Sequence, residues 1–537
     1  MENWTKNLVT QDFNYVYSLI KPLSPYGKEL HRNFEVFKRG EEAKLIKFLN
    51  KVNLVSQFLK INTKNAIDIK RLLKQLNNID NNLEQMEIGV VTDIALFNIN
   101  RCCSTLNRIT KIISNSYLAQ LFKLNLESLN SIIEILKGGN KVDGTFYLAD
   151  SFSPRLAEVR HNLRNCERSL IKETQSNNYF VQDLLARTVS STFTISKHEA
   201  DLIEKLKNIN DVYIVSENEY TIKYSIRDND TLLKLKAQKQ AIEYTLQSEL
   251  LFIKQKLRKQ ICPHIQGLKD LLKCIGQIDV FIARAVVANE LKCTLPQLVN
   301  YNVIKITNGR HPVLEEKLAV KKAKFTPRSI ELKAGVNLIT GINMGGKTVT
   351  LRLVQLLTTM VHAGMPVPVD NMQLSLRDYV HFSKSDEDSI LTGLSHFGQE
   401  INQINEILTH QNEYGLVLID EIAHGTAPIA GESLAIAVLE KLHDSNNIVI
   451  VTTHYTAIGE KIPVYEWQTK GLNYEKWYKK GAYNTDVKAL SNCIDYSLVR
   501  VDKKQQEFSK ALKIAELLGM DKDILKRAEQ LILDSRK

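Results

Sequence analysis

At 537 residues the chain is long enough for several domains, each with its own core. No apolar stretch is long enough to cross a bilayer, Met1 to Thr10 lacks the basic-then-apolar pattern of a secretory signal, and the seven cysteines include no C-x-x-C pair. A membrane span, a secretory route and a disulfide scaffold are thereby disfavoured, and reduced thiols in the cytoplasm are expected.

A net charge of +11 and a pI near 9.0 fit a polyanion partner without establishing one, because the chain is rich in Lys and Asn throughout. Residues 11–60, 66–138 and 155–176 carry apolar residues at helical spacing with few breakers. Ser24-Pro25-Tyr26-Gly27 predicts a turn, and Gly138-Gly139-Asn140 begins a loop that includes Asp143-Gly144. Between Asp211 and Ile226, Val212, Ile214, Tyr220, Ile222 and Tyr224 alternate around Glu217-Asn218, which predicts a short hairpin. A long helical pattern then runs from Thr231 to Leu291, interrupted near Pro263. Lys234, Lys236 and Lys239 open it, and Lys254, Lys256, Arg258 and Lys259 follow. That face could neutralise phosphates, or it could be the solvated side of an amphipathic helix. After Pro296 the composition shifts to strand-like runs and tight turns.

Residues Gly341-Ile342-Asn343-Met344-Gly345-Gly346-Lys347-Thr348 follow the apolar run Val336 to Thr340 and precede a helical pattern from Val349 to Met360. The spacing G-x-x-x-x-G-K-[ST] in a strand-loop-helix setting is that of a phosphate-binding loop. Gly341 permits a sharp turn, and Gly345 and Gly346 let backbone N–H groups approach phosphate oxygens. Lys347 would bridge the terminal phosphates and the Thr348 hydroxyl suits Mg²⁺. About seventy residues on, the continuous apolar run Leu416-Val417-Leu418-Ile419 reads as a strand buried on both faces and ends in Asp420-Glu421. Two carboxylates at that edge need a cation or donors. In a nucleotide site Asp420 would hold Mg²⁺ and Glu421 would orient or deprotonate the attacking water. A third strand, Ile448 to Thr452, leads into Thr453-His454-Tyr455. His454 could sense a γ-phosphate there, although a structural histidine is the competing explanation.

These segments resemble the ATPase domain of the MutS family: Gly341 to Thr348, Asp420-Glu421 with Gly425-Thr426, and Thr453-His454-Tyr455, preceded by Gly309-Arg310-His311-Pro312-Val313-Leu314-Glu315. Ser385 to Ile390 and Leu394-Ser395-His396-Phe397 resemble the family's signature loop, which crosses a dimer so that its serine reaches the partner's nucleotide. By that resemblance Ser395 acts in trans and Phe325 lies where an aromatic ring stacks on adenine, a core phenylalanine being the alternative. Ala511 to Gly519 and Asp523 to Leu531 resemble the family's C-terminal dimerisation helices. Gln277-Ile278-Asp279-Val280 resembles the junction of lever helix and ATPase, and Leu148 to Leu156 with Val159-Arg160 resembles the core of the branch that often carries an Smr nuclease.

The resemblance implies a multidomain fold: a mainly α-helical core and lever region over residues 1–300 with a reduced clamp-like segment near 180–230, an α/β P-loop ATPase over 301–480, and C-terminal dimerisation helices within 481–537. Neither a mismatch-recognition domain nor an Smr domain is expected. Three departures stand out: Ala423 and His424 follow Asp-Glu, Ala430 replaces the usual acid before Gly431, and His396 replaces Thr. The change at Ala430 puts coupling between two sites in question more than binding. The expected function is ATP hydrolysis with Mg²⁺ at composite sites of a homodimer, or of a heterodimer with a related subunit. That hydrolysis would move helical arms on double-stranded or branched DNA. The alternative is a KamC-like reactivase ATPase acting on a cobalamin-dependent aminomutase.

Overall fold

The computed structural model describes residues 10–534 apart from 33–34, 138–139, 143–144, 342–344, 384–395, 424–426, 454, 456–457, 474–493, 502–511, 513–514 and 517–519. The described residues fall into two compact units, one within 1–74, 112–123 and 273–537, the other within 75–111 and 124–272. Helices and α/β sheets are mixed along the chain. Among the described residues no helix is long and apolar enough to cross a membrane.

The first unit is organised by a six-stranded sheet. Its site-bearing elements are β1 (Arg328–Lys333), β2 (Gly335–Thr340), α1 (Lys347–His362), β3 (Tyr379–Ser383), β4 (Gly415–Ile419), β5 (Ile448–Thr452), β6 (Tyr465–Leu472) and β7 (Ile494–Arg500). The strand order is β3-β4-β5-β2-β6-β7. All neighbours are parallel except β6 and β7, which run antiparallel. Every residue of β2, β4 and β5 is buried, as parallel strands covered on both faces must be.

The period of two divides these strands between two cores. Leu416, Leu418, Ile448, Ile450 and Ile339 join the core that includes α1, whereas Val417, Ile419, Val449, Val451, Val336 and Leu338 join the core that includes Leu439 and Leu442 of the helix Pro428–His443. β1 belongs to a second sheet with Gln297–Leu298, Asn371–Leu374 and Val303–Gly309. Asn337 is the polar exception inside β2. Its side-chain amide donates to the carbonyls of Lys333 (2.8 Å), Gly335 and Val449 (each 3.2 Å) and accepts from the Lys333 N–H (3.1 Å). Buried polar groups have to be satisfied in this way.

Thirteen of the sixteen residues of α1 are buried, because the N-terminal segment covers the side that the sheet leaves open. Phe13, Val16 and Ile20 share the core of Leu353, Leu356 and Met360. Ser24 to Gly27 opens the helix Pro25–Arg32, contrary to the expected turn. Buried Asp279 accounts for this, accepting from the Leu23 N–H (2.9 Å), the Ser24 N–H (2.6 Å) and the Ser24 hydroxyl (2.6 Å) at the helix start.

In the other unit, two 32-residue helices, Pro154–Leu185 and Asp230–Ile261, pack against each other, each about 48 Å long at the standard rise. Ser153 and Asn229 cap their N-termini, and Glu249 accepts the Ser153 hydroxyl at 2.8 Å. The expected hairpin is present as Val212–Glu217 and Thr221–Ile226, and Thr192–Ser196 adds a third strand that the alternation pattern did not reveal. The break near Pro263 is the short 3₁₀ turn Cys262–His264. Several cations of the basic stretch have partners within this unit. Lys236 pairs with Asp228, Lys239 with Glu167 and Lys254 with Asp93 (2.7 Å), while Arg258 donates to the carbonyls of Met86 and Glu87.

Arg352 of α1 forms a two-pronged pair with buried Asp12 of the helix Gln11–Ser18, Nε to Oδ2 at 2.9 Å and Nη2 to Oδ1 at 2.8 Å. His311 stands 3.4 Å from the same carboxylate, a longer contact than those of Arg352. Burial alone would push the Asp12 carboxyl up, but His311 and Arg352 outweigh it and hold it at about 2, below the ordinary 3.8. A lowered folded value means that the ionised form stabilises the fold above pH ~4 and that this contribution is lost as pH falls towards 2. Asp12→Asn should therefore lower stability at pH 7 by about 2 kcal/mol, with the gap to the native chain closing between pH 4 and pH 2. Urea titrations across that range test this, and a gap that does not shrink would contradict it.

Candidate phosphate-binding site at the carboxyl edge of the sheet

Because β2, β3, β4 and β5 are parallel, their C-terminal ends share one edge. Ser383 pairs with Ile419, Ile419 with Val451 and Thr452 with Ile339. The residues that follow these strands are therefore brought together, and such edges are where open α/β sheets bind ligands.

Leaving β2, the chain turns at Gly341 with φ of +130°, and a Cβ there would stand 2.1 Å from the Thr469 hydroxyl oxygen, so only glycine fits. Gly346 caps α1 in the left-handed region at φ of +83°. Between these turns lie Ile342, Asn343 and Met344, outside the described residues. Lys347 is buried, and its Nζ donates to the Gly341 carbonyl at 2.9 Å, folding the side chain back towards the end of β2. Thr348 is exposed on the first turn of α1. The free N–H groups and the positive dipole end of the helix start there.

Asp420 and Glu421 follow β4, two strands away or about 10 Å at ordinary strand spacing. The Thr452 hydroxyl, at the end of the intervening strand, donates to Asp420 Oδ1 at 2.6 Å and accepts from the Glu421 N–H at 2.9 Å. One hydroxyl thus fixes both acidic residues. Glu421 and Ala423 adopt φ of +57° and +58°, a costly conformation for residues with a Cβ, which turns the chain sharply as it leaves the sheet. The turn is held from two sides. Glu400 accepts from the Ala423 N–H at 2.5 Å, and the Tyr455 hydroxyl donates to the Ala423 carbonyl at 3.0 Å. Glu400 lies on the helix His396–Thr409, which is also tied to β3 by the Ser383 hydroxyl donating to Gln403 at 2.6 Å.

Gly341, Gly345, Gly346, Lys347, Thr348, Asp420 and Glu421 are thus assembled at one edge. Ser395, His454, His424, Gly425 and Thr426 lie outside the described residues. Phe325 precedes β1, half-buried, with its ring 6.5 Å from that of His311. Ala430 is exposed on the helix Pro428–His443.

Sequence reasoning did not single out Thr452, Glu400 or Arg328. Arg328 is 2% exposed, and its Nη1 donates to the Gly346 carbonyl at 2.5 Å and to the Thr350 hydroxyl. Burial lowers its pKa to about 10, against the opposing influence of Tyr496, so it stays charged at neutral pH. An isolated arginine three residues after Phe325 carries no motif that would have exposed it.

Residues 337–534 match the MutS domain V family. Over 484 residues the chain is 26% identical to the "Endonuclease MutS2" of Enterococcus faecalis, covering 88% of this chain and 59% of that protein. It is 32% identical to the protein of the same name from Finegoldia magna over 286 residues, 52% of this chain and 34% of that one, and 28% identical to that of Geobacillus sp. over 399 residues, 73% and 48%. The chain spans three-fifths or less of the length of these relatives. The domain V match falls on the segment that builds the phosphate-loop edge, and relatives named MutS2 align along most of the chain, so the chain is similar to members of the MutS family.

Proposed function

We propose that the glycine loop and the acidic turn form one half of an ATP site, and that two copies of the chain, or this chain and a related subunit, close over two such sites and hydrolyse ATP to ADP and phosphate. The main support is the buried Lys347, folded onto the Gly341 carbonyl at the carboxyl edge of a parallel sheet, with Asp420 and Glu421 two strands away. In this account residues 301–480 are the P-loop ATPase, residues 1–300 the helical core and levers, and residues 481–537 the part that completes the ATPase and carries the dimerisation helices.

Each role follows from the local chemistry. The backbone N–H groups of Gly345 and Gly346, with Asn343 and Met344 between the turns, cradle phosphate oxygens. Lys347 exchanges its carbonyl acceptor for the β- and γ-phosphates. The exposed Thr348 hydroxyl and the Asp420 carboxylate are hard oxygen donors of the kind that suits Mg²⁺, which would neutralise charge on the transferring phosphoryl group. Glu421, aimed by its left-handed backbone and anchored through Thr452, orients and deprotonates the attacking water. His454 donates to the γ-phosphate, Phe325 faces the adenine and Ser395 reaches the nucleotide of the partner. Only the triphosphate state offers both subunits the same anion, so binding closes the interface and hydrolysis loosens it.

We infer that this cycle moves helical arms on double-stranded or branched DNA, in a role related to mismatch repair and distinct from mismatch detection. The relatives' name, "Endonuclease MutS2", and the +11 charge support DNA. A second reading, a reactivase component that acts on a cobalamin-dependent aminomutase, is favoured by the pairing of Lys236, Lys239 and Lys254 with carboxylates, which leaves fewer cations for phosphates.

Glu421→Gln should keep ATP binding, hold the dimer closed and stop turnover; unchanged turnover would refute the role given to Glu421. Ser395→Ala should slow hydrolysis in trans, so mixed dimers made with one Lys347→Ala subunit should lose activity only when the serine is missing from the subunit opposite the intact loop. A defect confined to the mutated subunit's own site would overturn that assignment. ATP turnover measured with duplex, branched and single-stranded DNA over a salt series should rise with duplex or branched DNA and lose that stimulation steeply as salt increases. Indifference to all three would instead favour the protein partner.

A further inference from the structure

Two arginines contact the first turns of α1, and their electrostatic settings differ. Arg352 meets the carboxylate of Asp12. Arg328, the first residue of β1, has no carboxylate within ion-pair distance among the described residues, and its Nε is buried without a hydrogen-bond partner. Its guanidinium lies against the turn that starts the helix. Nη1 donates to the Gly346 carbonyl and the Thr350 hydroxyl, and a Cβ on Gly346 would stand 2.3 Å from Nη2. A buried cation without an anion is costly, and among the described residues none offsets Arg328 at the amino end of α1, where the helix dipole already favours negative charge.

We propose that Arg328 is a positioning residue of the nucleotide site: a second, uncompensated cation that holds the Gly346 turn through its carbonyl and adds positive potential that a bound polyphosphate balances. This rests on the ATP reading of the loop. Lys347 contributes a mobile point charge on the phosphate side, and Arg328 a fixed planar fork on the protein side. The Gly346 carbonyl, occupied by Arg328, is kept turned away from the phosphates so that the following N–H groups face them. The empty site carries the electrostatic cost and the filled site relieves it, so Arg328 favours the bound state in proportion to phosphate charge.

The test compares the full chain with Arg328→Met, Arg328→Lys and Lys347→Ala, measuring binding of fluorescent ATP, ADP and AMP together with the melting temperature of each nucleotide-free protein. The expected result for Arg328→Met is an unchanged or higher melting temperature with ATP binding weakened by about tenfold or more, ADP less and AMP least. Arg328→Lys, which keeps the charge and loses the fork, should fall between. The inference is overturned if Arg328→Met binds ATP as the native chain does. It is equally overturned if the variant loses all three nucleotides by the same factor while melting lower, because that is the signature of structural damage alone. If the native chain itself binds none of the three, the ATP reading fails, whatever the variants do.

Discussion

Burial of β2, β4 and β5 on both faces is the constraint from which the site follows. Along each strand alternate residues are committed to opposite cores, so almost no polar side chain can leave the sheet except at its ends. Parallel pairing then places those ends on one edge, and the polar residues that follow, Gly341 with its loop, Asp420 with Glu421, and Thr452 with Thr453, must meet there. The site is a consequence of topology before it is a set of side chains.

The constellation is held by second contacts that involve no substrate. Thr452 bridges Asp420 and the Glu421 backbone, Glu400 and Tyr455 clamp the strained turn at Ala423, and Arg328 clamps the turn at Gly346. The N-terminal segment completes the arrangement. Phe13, Val16 and Ile20 cover α1, and Asp12 secures Arg352 one turn beyond the loop. Without that cover, the apolar outer face of α1 would meet water. This explains why α1 is buried on almost every side although half of its residues are polar.

Much of this was legible in the sequence because periodicity and motif spacing report local geometry directly. The strand-loop-helix at Gly341, the buried runs that end at Asp420 and Thr452, the hairpin at 212–226 and the break near Pro263 are all written in consecutive residues. What was not legible depends on contacts between distant segments. Ser24 to Gly27 has turn composition, yet Asp279, more than 250 residues later, supplies the acceptors that start a helix there. The strand Thr192–Ser196 alternates in burial, but what makes it a strand is its pairing with Thr221–Ile226 about thirty residues later. The lysines of the long helix could be a phosphate-neutralising face or a solvated one, and only the fold reveals that Asp93, Glu167 and Asp228 meet three of them. Arg328 and Glu400 gain their roles solely from where the chain returns.

The most direct test of the central claim is a crystal structure of the full chain with Mg²⁺ and a non-hydrolysable ATP analogue. The triphosphate is expected in the Gly341–Thr348 loop, with the Lys347 Nζ moved from the Gly341 carbonyl onto phosphate oxygens and Thr348 and Asp420 holding the metal. An analogue bound elsewhere, or a Lys347 still folded on Gly341 with no phosphate near the loop, would contradict it.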